Sequence, residues 1–207
     1  GVDPQLAGRR CVAENVLSDG GEVGFEHPGG YGQFFTTEAS RIQALPDDFP
    51  FEQAALIEPV AVCVRALRRL SPAACFKEPV LILGDGTIGL ILLALLIHHD
   101  ARDITLVGGR ERRLSLANEL GARAVVNYHA IKGDLAAGLG VATPSSFQTI
   151  IEASGSGQAM QASLQLAAPQ ADIAIVGDYG SARADFAWNH LLHRELRLVG
   201  SNASADA

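Results

Sequence analysis

The stretch Val80-Leu81-Ile82-Leu83-Gly84-Asp85-Gly86-Thr87-Ile88-Gly89 decides the fold. Four apolar residues run into glycines spaced G-x-G-x-x-G, and the apolar run Leu90 to Ile97 follows at once. A continuous apolar run closed by glycine fits a strand buried on both faces of a parallel sheet. The glycine spacing makes physical sense if a dinucleotide lies across the turn. Gly84 turns the chain tightly out of the strand, Gly86 lets the backbone approach a pyrophosphate, and Gly89 lets the helix pack close to the sheet. The amides that open the helix at Thr87 and Ile88 then face the anion. A ligand-free turn can show the same spacing. The strand before it and the helix after it are what argue for dinucleotide binding.

Downstream, apolar runs and helical patterns alternate. Strands are expected at Val80–Leu83, Ile104–Val107, Ala124–Val126, Thr149–Glu152, Ile173–Val176 and Leu196–Val199. Helices are expected at Ile88–His98, Glu111–Leu120 with Gly121 as its stop, Ala130–Leu139 and Gln158–Ala167. Such alternation makes an α/β fold, a doubly wound parallel Rossmann sheet.

Upstream, Phe51 to Leu70 reads as one helical segment, with Pro59 at a first helical position and Glu58 just before it as a cap. Residues 1–50 read as short strands and turns: an alternating stretch Arg10 to Val16, a turn at Ser18-Asp19-Gly20-Gly21, and a turn entering a strand over Gly29 to Phe35. The proline-bounded connector Ala44 to Pro50 marks the boundary. Two domains are therefore expected, 1–50 and 51–207.

The chain has 207 residues, 48% of them apolar, and a net charge of −7. That size supports one large core, or one complete domain with part of another. An acidic balance without basic clusters argues against nucleic acid and against anionic membrane surfaces. The longest apolar run, Ile88 to Ile97, is too short to span a bilayer. The opening Gly1-Val2-Asp3-Pro4 shows no apolar leader. Cys11, Cys63 and Cys75 are widely spaced and never paired as C-x-x-C, which suits a reducing, cytoplasmic setting and offers no metal site.

The cofactor reading rests on the end of the second strand, Leu106-Val107-Gly108-Gly109-Arg110-Glu111-Arg112-Arg113. About twenty residues past the glycines, an acid binds the ribose 2′-hydroxyl when the cofactor is NAD. Gly108 holds that position, and Arg110 follows two residues later. A missing acid removes repulsion toward a 2′-phosphate, and a guanidinium attracts it bidentately. A solvated helix start could also carry Arg110, Arg112 and Arg113. Positive charge there opposes the helix dipole, however, which argues for phosphate binding and for NADP over NAD.

Several separated segments resemble, in the right order, the zinc-dependent medium-chain dehydrogenases, and in particular the sorbitol/threonine dehydrogenase branch. They are Ala13-Glu14-Asn15-Val16-Leu17-Ser18, Gly29-Gly30-Tyr31, Ala55-Leu56-Ile57-Glu58-Pro59-Val60-Ala61-Val62, the glycine motif, Ile151-Glu152-Ala153-Ser154-Gly155, and Arg194-Glu195-Leu196 leading to Gly200-Ser201. The resemblance implies a Rossmann domain with part of a mostly-β, GroES-like catalytic domain. It implies that Gly108-Gly109-Arg110 stands for the Gly-Ser-Arg of NADP-preferring members, and that Val176, Gly177 and Asp178 line the nicotinamide side. It also implies a metal-proximal role for Glu58.

The departures carry equal weight. The family's catalytic zinc is held by a Cys and a His/Glu pair upstream of the first residue here. Its four-cysteine structural-zinc lobe would follow Leu17-Ser18, where this chain passes directly to Glu22-Val23-Gly24-Phe25. Pro169-Gln170-Ala171 replaces the usual Pro-Gly-Gly and is expected to stiffen the turn before the fifth strand.

Other candidate groups read as structural. One carboxylate, Glu58, cannot hold a zinc ion alone. His190 and His193 could share a helix face but lack a third ligand, and His98 and His99 end a helix. His27 precedes Pro28-Gly29-Gly30 in a loop that could face a cleft. Ser154 and Ser156 follow a strand without a paired base, which disfavours nucleophilic catalysis and suits cofactor contact. The expected function is an oxidoreductase moving hydride between NADP (or NAD) and a small alcohol or polyol, in a homo-oligomer. The rival reading is a zinc-free NADP(H)-binding relative that acts as a sensor or subunit. Scaffolding without any nucleotide is a third.

Overall fold

The structure, a computed structural model, describes residues 4–70, 76–142, 146–180, 186 and 188–203. Cys75 and the opening residues 1–3 lie outside that set. The chain divides into two compact units, Gly1–Val62 with Ala203–Ala207, and Cys63–Asn202.

In the first unit, strand β1 (Cys11–Ala13) pairs antiparallel with β2 (Ile42–Ala44), with Val12 opposite Gln43. The Arg10 guanidinium lies 3.8 Å above the Phe51 ring, a cation–π contact that ties β1 to the first helix. The turn at Ser18 to Gly21 forms as expected, with Gly20 at φ +83° and its N–H donating to Leu17 O at 3.0 Å. The strand expected within Gly29 to Phe35 does not form. Tyr31 and Phe34 are exposed, and without a partner strand an extended segment has nothing to hold it.

The expected single helix over Phe51 to Leu70 is two: α1 (Phe51–Ala54) and α2 (Ile57–Arg69), separated at Ala55 and Leu56. Pro59 is the third residue of α2, not the first, and Glu58 lies inside the first turn instead of preceding it. Amides of a first turn have no intrahelical partner, so proline costs little anywhere along it. Glu58 still meets the positive end of the helix dipole.

The second unit contains a parallel sheet of six strands: β3 (Val80–Leu83), β4 (Ile104–Gly108), β5 (Ala124–Asn127), β6 (Phe147–Glu152), β7 (Ala167–Ile175) and β8 (Arg197–Gly200). Their order is β5-β4-β3-β6-β7-β8. The chain therefore winds outward from β3 in one direction, then returns to β6 on the other side of it. Loops diverge at that switch point, and this opens the crevice in which ligands of such folds bind.

Alternate residues of each strand feed two cores. Val80, Ile82, Ile104, Leu106 and Ile151 pack with Leu92, Leu93 and Leu96 of α3 (Thr87–His98) and Leu114 and Ala117 of α4 (Glu111–Leu120). Leu81, Leu83, Val107, Ile150 and Ile173 pack with Ala136 and Leu139 of α5 (Leu135–Ala142) and the buried face of α6 (Gly157–Leu166). Helices thus cover both faces, as the near-continuous apolar strands require. Gly121 ends α4 at φ +106°, as expected.

Two expectations need correction. The helix placed at Ala130–Leu139 is a 3-10 turn over Tyr128–Ala130 followed by α5, which starts only at Leu135. Gly133 at φ +87° breaks the path, and Asp134 restarts it by accepting the Ala137 N–H at 2.8 Å. Strand β7 begins before Pro169, and its pairing with β6 shifts register between Phe147 and Thr149. Gln170 takes φ +60°, a conformation glycine adopts more readily. Its N–H donates to Arg194 O at 2.7 Å, and its side chain donates to Glu195 Oε2 at 3.0 Å. A short last helix, α7 (Trp188–His193), precedes β8.

Candidate cofactor site

The glycine turn between β3 and α3 is held from three sides. Gly84 sits at φ +126°, and a Cβ there would stand 2.9 Å from the Ala153 carbonyl at the end of β6. A Cβ on Gly89 would stand 2.0 Å from Gly84 O. Both positions exclude any other residue by contact with backbone. Gly86 differs: it caps α3 with extended backbone, and a Cβ there would meet nothing within 4 Å. The glycine with free space is the one across which the ligand backbone is expected to lie, and the first-turn amides of α3 follow it.

In front of this turn opens a cleft of about 710 Å³ within the second unit. Its wall is formed by Leu83 to Gly86 and, across the switch point, by Ala153, Ser154, Ser156, Gln158 and Ala159. Val107 to Arg110 form its far end with Tyr128, His129 and Ile131. That size is in the range of small-molecule and cofactor sites. Thr87, Ile88 and Gly89 form the helix start beneath it. Tyr128, His129 and Ile131 carry no motif in the sequence and reach the cleft because the chain leaves β5 in a 3-10 turn. A Cβ on Gly109 would stand 2.6 Å from the far end of the half-exposed Tyr128 ring, so the tyrosine packs against that glycine.

The Gly108–Arg110 end of the cleft holds a carboxylate after all. Gly108 carries none, but Asp85, the second residue of the glycine motif, turns its side chain toward it. Asp85 is 6% exposed, and its Oδ2 accepts the N–H of Gly109 at 3.1 Å and of Arg110 at 2.8 Å. Arg110 Nη1 donates to Oδ1 at 3.3 Å, and Arg113 Nη1 donates to the Asp85 carbonyl at 3.3 Å. Both expected arginines therefore stand at this corner, and Arg110 keeps most of its side chain in solvent.

At the other end, Glu152 is fully buried at the end of β6. It accepts hydrogen bonds from Ser154 N at 2.8 Å, the Ser154 hydroxyl, Gly155 N at 3.2 Å and Tyr179 Oη at 2.5 Å. Burial, reinforced by the bond to Glu152, pushes the Tyr179 hydroxyl pKa well above the usual phenol range. Val176 and Gly177 donate their N–H groups to Glu152 O at 2.9 and 3.0 Å, and a Cβ on Gly155 would stand 2.1 Å from Asp178 O. Val176, Gly177 and Asp178 thus back the 153–156 loop, and the cleft wall itself is made by Ala153, Ser154 and Ser156. Ser154 bonds inward, and Ser156 caps α6 by accepting the Ala159 N–H. The Ser154 hydroxyl is tied to a buried carboxylate already shared with Tyr179, and the Ser156 hydroxyl is taken up by its cap, so neither is set up as a nucleophile.

Glu58 belongs to the first unit. Burial, and then the charges of Glu14 and Glu22, raise its pKa. His27 Nε2 lies 3.0 Å from Asp19 Oδ2 in the turn that follows Leu17, so it closes that turn. His190 and His193 both lie on α7. Among the described residues, no group of three or more His, Cys, Asp or Glu side chains could hold a metal ion.

The family model for zinc-binding dehydrogenases matches residues 87–206, from the first residue of α3 past the end of β8. The chain belongs to this family. Galactitol 1-phosphate 5-dehydrogenase of Escherichia coli K12 is 29% identical over 184 residues, which is 86% of this chain and 51% of that protein. The chain thus spans about half the length of that curated relative. A protein described as a short chain alcohol dehydrogenase of E. coli CFT073, solved with NADH, shares the fold at a TM-score of 0.86 and 21% identity, over 100% of this chain and 64% of that one. A zinc-binding dehydrogenase of Sinorhizobium meliloti 1021 bound to NADP superposes at a TM-score of 0.76 with 25% identity, over 89% and 54% of the two chains. The resemblance to medium-chain dehydrogenases and the Rossmann sheet are both borne out.

Proposed function

We propose that the second unit binds a nicotinamide dinucleotide and orients it for hydride exchange with a small alcohol or polyol. It would act as the cofactor half of a medium-chain alcohol dehydrogenase, with residues 1–50 as part of a GroES-like catalytic domain and residues 51–207 as the cofactor domain. The observation that carries this reading is Gly86, open to a cofactor-sized cleft between two glycines that backbone contacts hold in place. Two members of the fold, solved with NADH and with NADP, support it.

In this reading the pyrophosphate lies over Gly84, Gly86 and the first-turn amides Thr87, Ile88 and Gly89, where the helix dipole favours an anion. The adenosine end meets Gly108, Gly109, Arg110 and Arg113. The nicotinamide end meets the 153–156 wall, which Val176, Gly177 and Asp178 support from behind. What a bound cofactor supplies there is a hydride acceptor or donor. Arg110 and Arg113, with no side chain at Gly108, favour NADP over NAD. The described residues do not supply a zinc site, so Glu58 would serve a metal only beside ligands from elsewhere. We place the protein in the cytoplasm as a homo-oligomer that would pair through β8, the last strand of the sheet among the described residues.

Titration of the purified chain with NADPH and NADH, followed by assay with sugar alcohols and sugar alcohol phosphates, tests the reading. Micromolar binding with alcohol-dependent reduction of the oxidised cofactor is expected. Binding without turnover would favour the zinc-free binder, and absence of binding would remove the cofactor site altogether.

A further inference from the structure

The expected acid of the adenosine ribose is missing from its usual strand end, yet the corner is not without one. An ideal Cβ on Gly108 would stand 2.4 Å from Asp85 Cβ and 2.8 Å from Asp85 Oδ2. The two side chains exclude each other, so Asp85 takes the space a carboxylate on Gly108 would need. It arrives from the glycine turn of β3, not from the end of β4.

That carboxylate also occupies the donors a 2′-phosphate would want. The N–H groups of Gly109 and Arg110 both point at Oδ2, and the Arg110 guanidinium bonds Oδ1. Arg113 is engaged with the carbonyl of the same residue. A dianionic 2′-phosphate would have to compete with a buried carboxylate for the two backbone N–H groups and for one nitrogen of the Arg110 guanidinium, and would sit beside its charge. A neutral 2′-hydroxyl meets no such repulsion and finds in Asp85 an acceptor.

We propose that Asp85 sets the cofactor preference of this chain, holding back the pull of Arg110 and Arg113 toward NADP so that NADH also binds. This rests on the cofactor reading of the cleft given above. It assigns discrimination to the second residue of the glycine motif, where the chain carries Gly84-Asp85-Gly86.

The test measures NADPH and NADH dissociation constants for the full chain and for Asp85→Asn, Asp85→Ala, Arg110→Ala and the Asp85→Asn/Arg110→Ala pair. Circular dichroism verifies that each is folded. The wild-type chain is expected to bind both cofactors within about tenfold of each other. Asp85→Asn, which keeps the shape and removes the charge, should raise the NADPH-to-NADH affinity ratio by about tenfold, the scale of one charged hydrogen bond. In the Arg110→Ala background the same substitution should move the ratio much less, since the two residues act as a pair. A ratio that stays the same or falls in both folded Asp85 variants overturns the proposal while leaving the cofactor site standing. Failure of the wild-type chain to bind either cofactor overturns both.

Discussion

The carbonyl oxygen of Gly84 lies 2.0 Å from where a Cβ on Gly89 would stand, whereas Gly86 between them faces open space. Three glycines of one motif are therefore kept for different reasons, and substitution separates them. Gly89→Ala should destabilise the protein by about 1–3 kcal/mol, because the clash is with backbone and outweighs the gain in helix propensity. Gly86→Ala should cost well under about 1 kcal/mol, the price of a poorer helix cap, yet weaken NAD(P)H binding at least tenfold. Thermal melts with cofactor titration check both. Equal losses of stability in the two variants would mean that Gly86 is structural and not a ligand contact.

Gly108 makes a second case. Its missing side chain is enforced by the Asp85 Cβ, an atom close to backbone that cannot swing away. Gly108→Ala should cost about 1–3 kcal/mol. Adding Asp85→Gly removes the obstacle, so the double variant should be more stable than the sum of the two single losses allows. Strict additivity in denaturant melts would show that the two positions do not press on each other.

Much of the sheet was legible because its strands are buried on both faces. Val80–Leu83 and Ile104–Val107 read as strands without any help from tertiary context, and the glycines fixed where β3 ends. What was hidden depends on partners far along the chain. Nothing local marks Asp85 as a neighbour of the β4 end: its bonds go to Gly109 and Arg110, and only the packing of β3 beside β4 brings them together. Tyr128 likewise reaches the cleft only because β5 lies outside β4. In the other direction, helical propensity over Ala130–Leu139 misled, since Gly133 and Asp134 form a stop and a new start inside the run. At Gly29 to Phe35, aromatic residues suggested a strand that no neighbour completes.

The bond from Tyr179 to Glu152 gives a pH signature. Tyr179 holds its proton in the folded state far above the ordinary phenol value of 10.0. The sign follows from proton counting. Above pH 10 the unfolded chain loses this proton while the folded chain keeps it, so stability is intact below that pH and declines as pH rises, by less than about 1.4 kcal/mol per unit because solvent screens this half-buried group. Tyr179→Phe should flatten this part of the profile. At neutral pH it should cost about 1–3 kcal/mol, because a buried carboxylate oxygen loses its donor. Denaturant melts between pH 8 and about 11 measure it. An unchanged alkaline slope in the variant would assign the loss to other groups.

Glu58 points the other way in pH. Burial, and the neighbouring charges of Glu14 and Glu22, raise its pKa, so the folded chain binds this proton more readily than the unfolded one. Its contribution is therefore most favourable below the ordinary glutamate value of 4.5 and is lost as pH rises through the raised folded value. At pH 7 the ionised group opposes folding. Glu58→Gln should then stabilise the protein at pH 7 by something on the order of 0.5 kcal/mol, the scale of a partly solvated charge interaction, and the gain should vanish near pH 4. If Glu58 instead serves a metal completed by residues from elsewhere, added zinc should raise the melting temperature of the wild-type chain and not of the variant. Melts of both proteins at pH 4 and 7, with and without zinc, separate the two. Destabilisation of Glu58→Gln at pH 7 without metal would show that its place in the first turn of α2 outweighs the repulsion.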